Sequence, residues 1–215
     1  MPHGHPRFRH LFMHADGSMN GWFGDPDHYD RFATRMERAL RTRIAADVAG
    51  LGLPEGAHVL DVGTGPGRLP VEIARRSPQV WVTGLDVSPR MIEAAKAAIE
   101  PGQQVTAQVG DVARLPYRDG SVDLIVSTLS QHHWPDRTAA IGELARVLAP
   151  GGRIWIYDLR RALGPARVAA TVAFPGADVR IGRVRAGLLG RLLGRLTVQP
   201  AGVTVQPAGG VGGPA

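Results

Sequence analysis

Short apolar runs alternate with amphipathic stretches through the middle of the chain. Because the apolar runs are bounded by turn residues, they are typical of buried parallel strands joined by helices. Together they predict an α/β fold with a doubly wound, mostly parallel sheet. The predicted strands are Ala57–Val62, Gln79–Asp86, Gln104–Gly110, Ser121–Ser127 and Arg153–Asp158.

The helices predicted between these strands follow from helical spacing of apolar residues. Residues 27–51 place an apolar side chain at every fourth position from Phe32 to Val48, which is typical of an amphipathic helix. Ser88 is suited to cap a later helix whose first position is Pro89. Two further helices are predicted over Gly67–Ser77 and Asp136–Leu148.

The pattern weakens after Asp158. A short helix is predicted over Pro165–Ala173 and a strand over Asp178–Arg185. The leucines from Leu188 to Leu196 form an apolar stripe opposite two arginines, as in an amphipathic helix. Such a stripe can lie on a membrane surface, but it more often packs on the protein's own sheet. The glycines among these leucines weaken any free-standing helix.

Both ends of the chain differ in composition from its middle. Residues 1–27 are rich in glycine, proline and histidine, and predict a flexible arm with enough apolar side chains to act as a lid. Residues 200–215 complete a duplicated hexapeptide and end in glycines, which predicts a disordered tail. One folded domain is therefore expected over residues 28–199.

The amino-acid composition excludes several kinds of functional site. The 215 residues contain no cysteine, which excludes disulfides, thiolate metal ligands and cysteine nucleophiles. The spacing of the histidines in residues 1–27 does not match the ligand spacing of a compact metal site, so no metal site is predicted. Because neither a signal peptide nor a membrane span is recognisable, a cytoplasmic protein is expected.

The net charge of +6 is unevenly distributed along the chain. Residues 160–215 contain eight arginines and one acidic residue, so this segment carries +7 and residues 1–159 carry −1. A solvated edge explains this charge, and a basic face for RNA, an anionic substrate or a membrane is the alternative.

A glycine-rich turn follows the first predicted strand, with glycines at positions 63, 65 and 67. The dinucleotide fingerprint G-x-G-x-x-G needs a glycine where this chain has Arg68, and no P-loop lysine follows. The turn therefore lets a ligand approach bare backbone but does not favour a pyrophosphate.

Three of the predicted strands end in or directly before an aspartate: Asp61, Asp86 and Asp111. In a parallel sheet these residues share the edge at which open α/β sheets bind ligands. Three carboxylates would repel phosphates. They suit a ligand that carries a positive charge, an amine and a ribose diol.

These features resemble the class I S-adenosylmethionine-dependent methyltransferases, specifically the small-molecule group related to ubiquinone and menaquinone biosynthesis. The resemblance covers about residues 27–159. It implies a Rossmann-like, seven-stranded sheet with an N-terminal helical cap, and methyl transfer to a small-molecule acceptor. The segments that carry it, in family order, are Val59–Gly67, Gly84–Ser88, Gly110–Val112 with Leu115–Tyr117, Ser121–Ile125 and Arg146–Gly152. Most members have phenylalanine where this chain has Val122.

The resemblance also implies roles for individual residues in binding S-adenosylmethionine. The methionine part would lie over Gly63, Thr64 and Gly65, with Gly67 completing the turn. Asp61 would reach the amino group and Asp86 the ribose hydroxyls. The remaining contacts would be Val87, Met91 and Val112 beside the adenine, Asp111 on its amine, and Ser127 and Leu129 facing the methyl donor. Tyr29 is either a ligand contact or a partly buried residue of the first helix.

Methyl transfer from a sulfonium is an in-line displacement, so alignment and exclusion of water matter most. A general base is optional, and His132 and His133 are candidates because they follow the fourth predicted strand. Their alternative role is to order that loop. The alternatives to small-molecule methylation are RNA or protein methylation through the basic segment, and a cofactor-binding module without catalysis. A monomer or homodimer is expected.

Overall fold

The computed structural model describes residues 35–184 and 192–199. Within these ranges, seven strands form one sheet with the order β3-β2-β1-β4-β5-β7-β6. The strands are β1 (His58–Val62), β2 (Trp81–Asp86), β3 (Val105–Val109), β4 (Val122–Thr128), β5 (Leu148–Leu159), β6 (Asp178–Arg183) and β7 (Leu193–Gln199).

Helices connect most of these strands. Apart from two single-turn 3₁₀ segments, Gln131–His133 and Arg160–Ala162, the helices are α1 (Arg35–Ala49), α2 (Arg68–Arg76), α3 (Pro89–Ala98), α4 (Arg137–Val147) and α5 (Leu163–Ala173). Two caps follow directly from sequence. Ser88 Oγ accepts the Met91 N–H at 3.4 Å, and an Asp136 side-chain oxygen accepts the Ala139 N–H at 2.9 Å.

The sheet has the predicted doubly wound, mostly parallel topology. Strands β1 to β5 run parallel, and β7 lies antiparallel between β5 and β6. The chain moves outward from β1 to β3 and then returns to place β4 on the other side of β1. This reversal leaves a crevice at the carboxyl ends of β1 and β4, where open sheets of this kind bind ligands.

The hydrophobic core lies on both faces of the sheet. On one face, the predicted every-fourth-residue stripe of α1 buries Leu40, Ile44 and Val48 against strand residues such as Val59. On the other face, α4 and α5 cover a second cluster that includes Leu144. Because both faces are covered, the central strands are apolar along nearly their whole length.

Two predictions about local structure were wrong. Residues 193–196 of the predicted leucine stripe belong to β7, because pairing with β5 and β6 satisfies their backbone and the alternate residues Leu196 and Val198 are fully buried. The Pro150–Gly152 segment was expected to separate a helix from a strand. It lies within β5, which begins at Leu148 and changes register against β4 near this segment.

Several predictions fall outside the described residues. They concern the arm at residues 1–27, Tyr29, the start of the first helix, Leu188, and the tail at residues 200–215. Among the residues that the structure describes, no helix is long and apolar enough to cross a membrane.

Candidate functional site

The glycine turn connects β1 to α2. Its backbone has a left-handed conformation, which residues with a side chain rarely adopt. Gly63, Gly65 and Gly67 have φ angles of 71°, 55° and 73°. The Gly63 and Thr64 N–H groups both donate to the Leu85 carbonyl, at 2.8 and 3.0 Å. These bonds hold the turn against β2, and the missing Cβ atoms leave its backbone open to a ligand.

Asp61 lies on β1 directly before this turn and is almost fully buried, with 2% of its surface exposed. Its Oδ2 accepts the Thr64 hydroxyl at 2.7 Å. Its Oδ1 is buried and has no hydrogen-bond partner among the described residues. Burial raises the pKa of Asp61 to about 7, although the Thr64 hydrogen bond opposes this change. A buried acceptor without a donor is costly, so this atom is suited to a ligand.

Asp86 ends β2 beside the same turn. Its Oδ2 accepts the Gly65 N–H and its Oδ1 accepts the Ser88 N–H, both at 2.9 Å. Partial burial raises the pKa of Asp86, and these backbone donors oppose the increase. The carboxylate is therefore fixed in orientation, while each oxygen keeps a lone pair for a further donor.

The third strand-end acid is more exposed than the first two. Asp111 follows β3, and its side chain accepts the Ala113 N–H at 2.9 Å, which forms a tight turn. Its neighbour Val112 is buried in the core. The edge of β3 therefore presents a carboxylate and an apolar side chain in consecutive positions, close to Asp86 because Asp86 pairs with Val109.

The remaining residues that the resemblance assigns to the cofactor differ in exposure. Val87 is 52% exposed just after β2, whereas Met91 is buried in the first turn of α3. Ser127 is fully buried near the end of β4, opposite Val62, and its hydroxyl has no partner among the described residues. Leu129 adopts a left-handed conformation with φ of 52°, and its N–H donates to the Tyr157 carbonyl at 2.8 Å.

The loop after β4 places a histidine ring within hydrogen-bond distance of a buried aspartate. His132 Nδ1 lies 2.8 Å from Oδ1 and 3.0 Å from Oδ2 of Asp158, and the His132 backbone N–H also donates to Oδ2 at 3.0 Å. Asp158 has no exposed surface. Since a carboxylate accepts hydrogen bonds, Nδ1 is the ring nitrogen that donates to Asp158, and Nε2 is the ring nitrogen that faces away from it.

His133 differs from His132 although their ring centroids are only 3.9 Å apart. Burial, and then the charge of His132, lower the pKa of His133 to about 4. A histidine with this pKa is a weak base at neutral pH. Of the two histidines that the sequence singled out, His132 has its Nδ1 within hydrogen-bond distance of a carboxylate, as is typical of a general base.

The post-β4 loop lies directly against the glycine turn. A Cβ placed on Gly63 would be 1.8 Å from Ser130 Oγ, so the Ser130 side chain occupies the space in which a side chain at position 63 would lie. The Ser130 hydroxyl in turn accepts the Trp134 indole N–H at 3.2 Å. The structure thus joins Asp61, the turn and the His132 loop into one site.

Asp158 was not among the residues selected from the sequence. The signal was present, since Asp158 ends a predicted strand just as Asp61 and Asp86 do. Arg137 was also missed, although its Nη2 donates to the His132 carbonyl at 3.0 Å and helps to hold the loop. No sequence pattern would have selected Arg137, because this contact arises only where the loop turns back on α4.

Two surface cavities among the described residues lie elsewhere. One of about 250 Å³ is lined by Leu51–Pro54 and Pro150–Arg153, and is therefore at the opposite end of β5 from Asp158. The other, of about 540 Å³, lies between the end of α3 and β3. Neither is lined by Asp61, Asp86 or His132.

Comparison with known proteins agrees with this geometry. Residues 59–152 match the family described as "Methyltransferase domain". The 27-O-demethylrifamycin SV methyltransferase of Amycolatopsis mediterranei is 35% identical over 149 residues, which cover 66% of this chain and 53% of that protein. The demethylmenaquinone methyltransferase of Deinococcus radiodurans is 38% identical over 102 residues, covering 47% and 42% respectively.

A solved structure shares the fold. A putative S-adenosylmethionine-dependent methyltransferase of Methanococcus maripaludis superposes with a TM-score of 0.67 at 21% identity, covering 88% of this chain and 99% of that one. At that identity the likeness concerns the fold alone. The chain spans about half the length of the curated relatives that it matches.

The fold, the strand-end acids and the glycine turn thus define the class I methyltransferase architecture. Over residues 59–152 the chain matches a methyltransferase domain, and its sheet has the fold of the solved methyltransferase structure.

Proposed function

We propose that this protein is a methyltransferase that uses S-adenosylmethionine to methylate a small-molecule acceptor. The observation that carries this proposal is the buried Oδ1 of Asp61, which has no donor among the described residues and lies beside a left-handed glycine turn. A cationic amine satisfies that atom and lowers the pKa of Asp61 toward its ordinary range.

The residues around Asp61 fit the rest of the cofactor. The left-handed glycine turn at Gly65 suits close approach of the methionine part, and the lone pairs of Asp86 suit the two ribose hydroxyls. Val87, Met91 and Val112 supply apolar surface for an adenine, and Asp111 an acceptor for its amine. Gly67, by contrast, is required by packing, because a Cβ there would be 2.6 Å from the Cβ of Ala95.

The chain's own residues then position and deprotonate the acceptor. When bound, S-adenosylmethionine supplies a methyl group on a positively charged sulfur. His132 Nε2 accepts the proton of the acceptor's nucleophilic group, and Asp158 holds the ring and stabilises its charged form. Ser127 and Leu129 form the wall of the site between Asp61 and this histidine.

Further features of the protein belong to the same proposal. The relatives named above are methyltransferases of a rifamycin and of demethylmenaquinone, which supports a small organic acceptor. We infer a domain over residues 28–199 and a cytoplasmic monomer or homodimer.

Calorimetry with S-adenosylmethionine and S-adenosylhomocysteine tests the cofactor proposal. Both are expected to bind the intact protein, and Asp86→Ala is expected to weaken binding by about 10- to 100-fold because a charged acceptor is lost. Asp178→Asn is the matched control, because Asp178 begins β6 outside the site. Undiminished binding by Asp86→Ala would contradict the proposal.

Analysis of the reaction products distinguishes small-molecule methylation from RNA methylation and from a non-catalytic module. A panel of phenols, hydroxylated macrocycles and quinols is incubated with the cofactor, and methylated product is detected by mass spectrometry. Binding without product across the panel favours a non-catalytic module. Salt-sensitive RNA retention that is lost in the combined Arg180→Ala and Arg183→Ala variant favours RNA methylation.

A further inference from the structure

Two side chains of α4 hydrogen-bond to the segment between β3 and β4. The backbone N–H of Leu115 donates to Glu143 Oε2 at 2.8 Å, and the Leu115 carbonyl accepts from Arg146 Nη2 at 3.0 Å. Leu115 lies outside the sheet, so these bonds replace the ladder that a strand would provide.

Arg146 extends this attachment along the segment. Its Nη1 donates to the Tyr117 carbonyl at 2.8 Å and to an Asp119 carboxylate oxygen at 2.7 Å. The Gly120 N–H donates back to the Arg146 carbonyl at 2.9 Å. The guanidinium therefore fixes three points of one loop through a planar set of donors that lysine does not have.

Glu143 and Arg146 also hold each other. Arg146 Nε and Nη2 donate to Oε1 and Oε2 of Glu143, at 2.8 and 2.7 Å, in a bidentate pair. Since both residues lie in α4, the pair is built on a rigid element whose residues Ile141 and Leu144 are fully buried. This Glu143–Arg146 pair is called the α4 clamp below.

The α4 clamp holds Leu115, which closely follows one part of the proposed cofactor site, Asp111 and Val112. Residues 111–115 form a continuous short turn, in which the Arg114 N–H donates to the Asp111 carbonyl at 3.0 Å. Asp111 and Val112 are therefore joined to Leu115 by a hydrogen-bonded turn. Asp61 and Asp86 are instead held by the glycine turn and by Ser88, none of which touches the clamp.

We propose that Glu143 and Arg146 are positioning residues that set the adenine subsite by fixing the 111–119 loop from α4. This inference rests on the proposed function, and it assigns the recognition of one part of the cofactor to residues that do not contact it. The α4 clamp affects only how the adenine of the ligand is recognised. It leaves the contacts to the amino-acid and ribose parts of the ligand unchanged.

The test compares two ligands in three variants. Wild-type protein, Arg146→Lys and Glu143→Gln are titrated with S-adenosylhomocysteine and with its purine-riboside analogue, which lacks only the 6-amino group. Wild type is expected to prefer the adenine compound. Arg146→Lys is expected to weaken binding of the adenine compound by about tenfold and to reduce the preference toward unity.

Arg76→Lys is the matched control, because Arg76 pairs with Glu72 along α2 and reaches no loop backbone among the described contacts. It is expected to keep the wild-type preference. Hydrogen exchange of the Leu115 amide, which donates to Glu143, is expected to accelerate in both clamp variants without ligand and not in the control.

Other outcomes overturn the inference in distinguishable ways. If wild type binds neither ligand, the proposed function fails, and this inference fails with it. If wild type binds the two ligands equally, or if Arg146→Lys and Glu143→Gln weaken both ligands by the same factor, the cofactor site stands but the α4 clamp does not set its base recognition.

Discussion

Two buried aspartates at the same edge of the sheet have opposite environments. Asp61 at the end of β1 and Asp158 at the end of β5 are exposed to 2% and 0%. Asp61 has one oxygen without a partner among the described residues, and its pKa is raised to about 7. Both oxygens of Asp158 accept hydrogen bonds, from His132 and from the Leu159 N–H.

The difference suits the two carboxylates at this edge of the sheet to different roles. A buried carboxylate with an unused acceptor is suited to meet a ligand directly, because the ligand supplies the missing donor. A buried carboxylate whose oxygens are already bonded acts through the group it holds, here the His132 ring. We therefore assign Asp61 to cofactor binding and Asp158 to support of the base, and the predictions below test that division.

The largest effect is expected at the contact that joins the two regions. Gly63→Ala places a Cβ 1.8 Å from Ser130 Oγ at a φ of 71°, so the turn and the post-β4 loop must separate. We expect cofactor binding to be lost and unfolding free energy to fall by about 2–5 kcal/mol, measured by calorimetry and urea denaturation.

Gly56→Ala is the control for this variant. Gly56 has a φ of 77°, and a methyl group added there would meet no atom within 4 Å, so the substitution isolates backbone strain from the clash. It is expected to cost about 1 kcal/mol and to leave binding intact. Equal effects of the two substitutions would mean that the Gly63–Ser130 contact does not hold the site together.

The second prediction separates the roles of the aspartates by kinetics. Asp158→Asn is expected to lower kcat by about 10²- to 10⁴-fold, because His132 loses the partner that fixes its basic nitrogen. Its affinity for S-adenosylhomocysteine is expected to stay near the wild-type value. Asp61→Asn is expected to do the reverse and to weaken binding by about 10- to 100-fold. If Asp158→Asn lowered the affinity for S-adenosylhomocysteine by the same factor as kcat, the separate roles proposed for Asp61 and Asp158 would be wrong.

The third prediction concerns pH and follows from the raised pKa of Asp61. A carboxyl whose folded pKa is about 7 stays protonated in the folded chain while its unfolded counterpart ionises. Stability of the unliganded protein therefore falls as pH rises from the ordinary carboxyl range to about 7, and levels off above it. Affinity for S-adenosylmethionine is expected to rise through pH 7, because the ionised form meets the amine.

Thermal unfolding and calorimetry across this pH range measure both trends. Asp61→Asn, which cannot ionise, is expected to flatten the two profiles. A wild-type affinity independent of pH around 7 would show that Asp61 does not meet the cofactor's amine.

The smallest effect is expected on the surface of α2, outside both regions. Glu72 is partly buried and pairs with the exposed Arg75 and Arg76. Glu72→Gln is expected to lower the unfolding free energy by less than about 1 kcal/mol and to leave binding and turnover unchanged. A larger effect on turnover would place part of the site on α2.

Much of the geometry around the glycine turn could be predicted from sequence because its signals are local. Strand ends, a glycine spacing and a capped helix lie within a few residues of each other, and the parallel topology then places Asp61, Asp86 and Asp111 at one edge. The His132–Asp158 pair spans 26 residues and depends on how the post-β4 loop folds over β5. Its aspartate was therefore missed, and the two histidines could not be ranked.

The class of fold, the glycine turn and the acids around it follow from the order of residues alone, because backbone preference and hydrophobic periodicity act over short distances. Contacts between distant segments decided the rest. They made β7 a strand, since pairing on both sides outweighed the helical spacing of its leucines. They also decided which buried acid has an oxygen left for a ligand, because only the packed chain fixes where each hydrogen-bond donor lies.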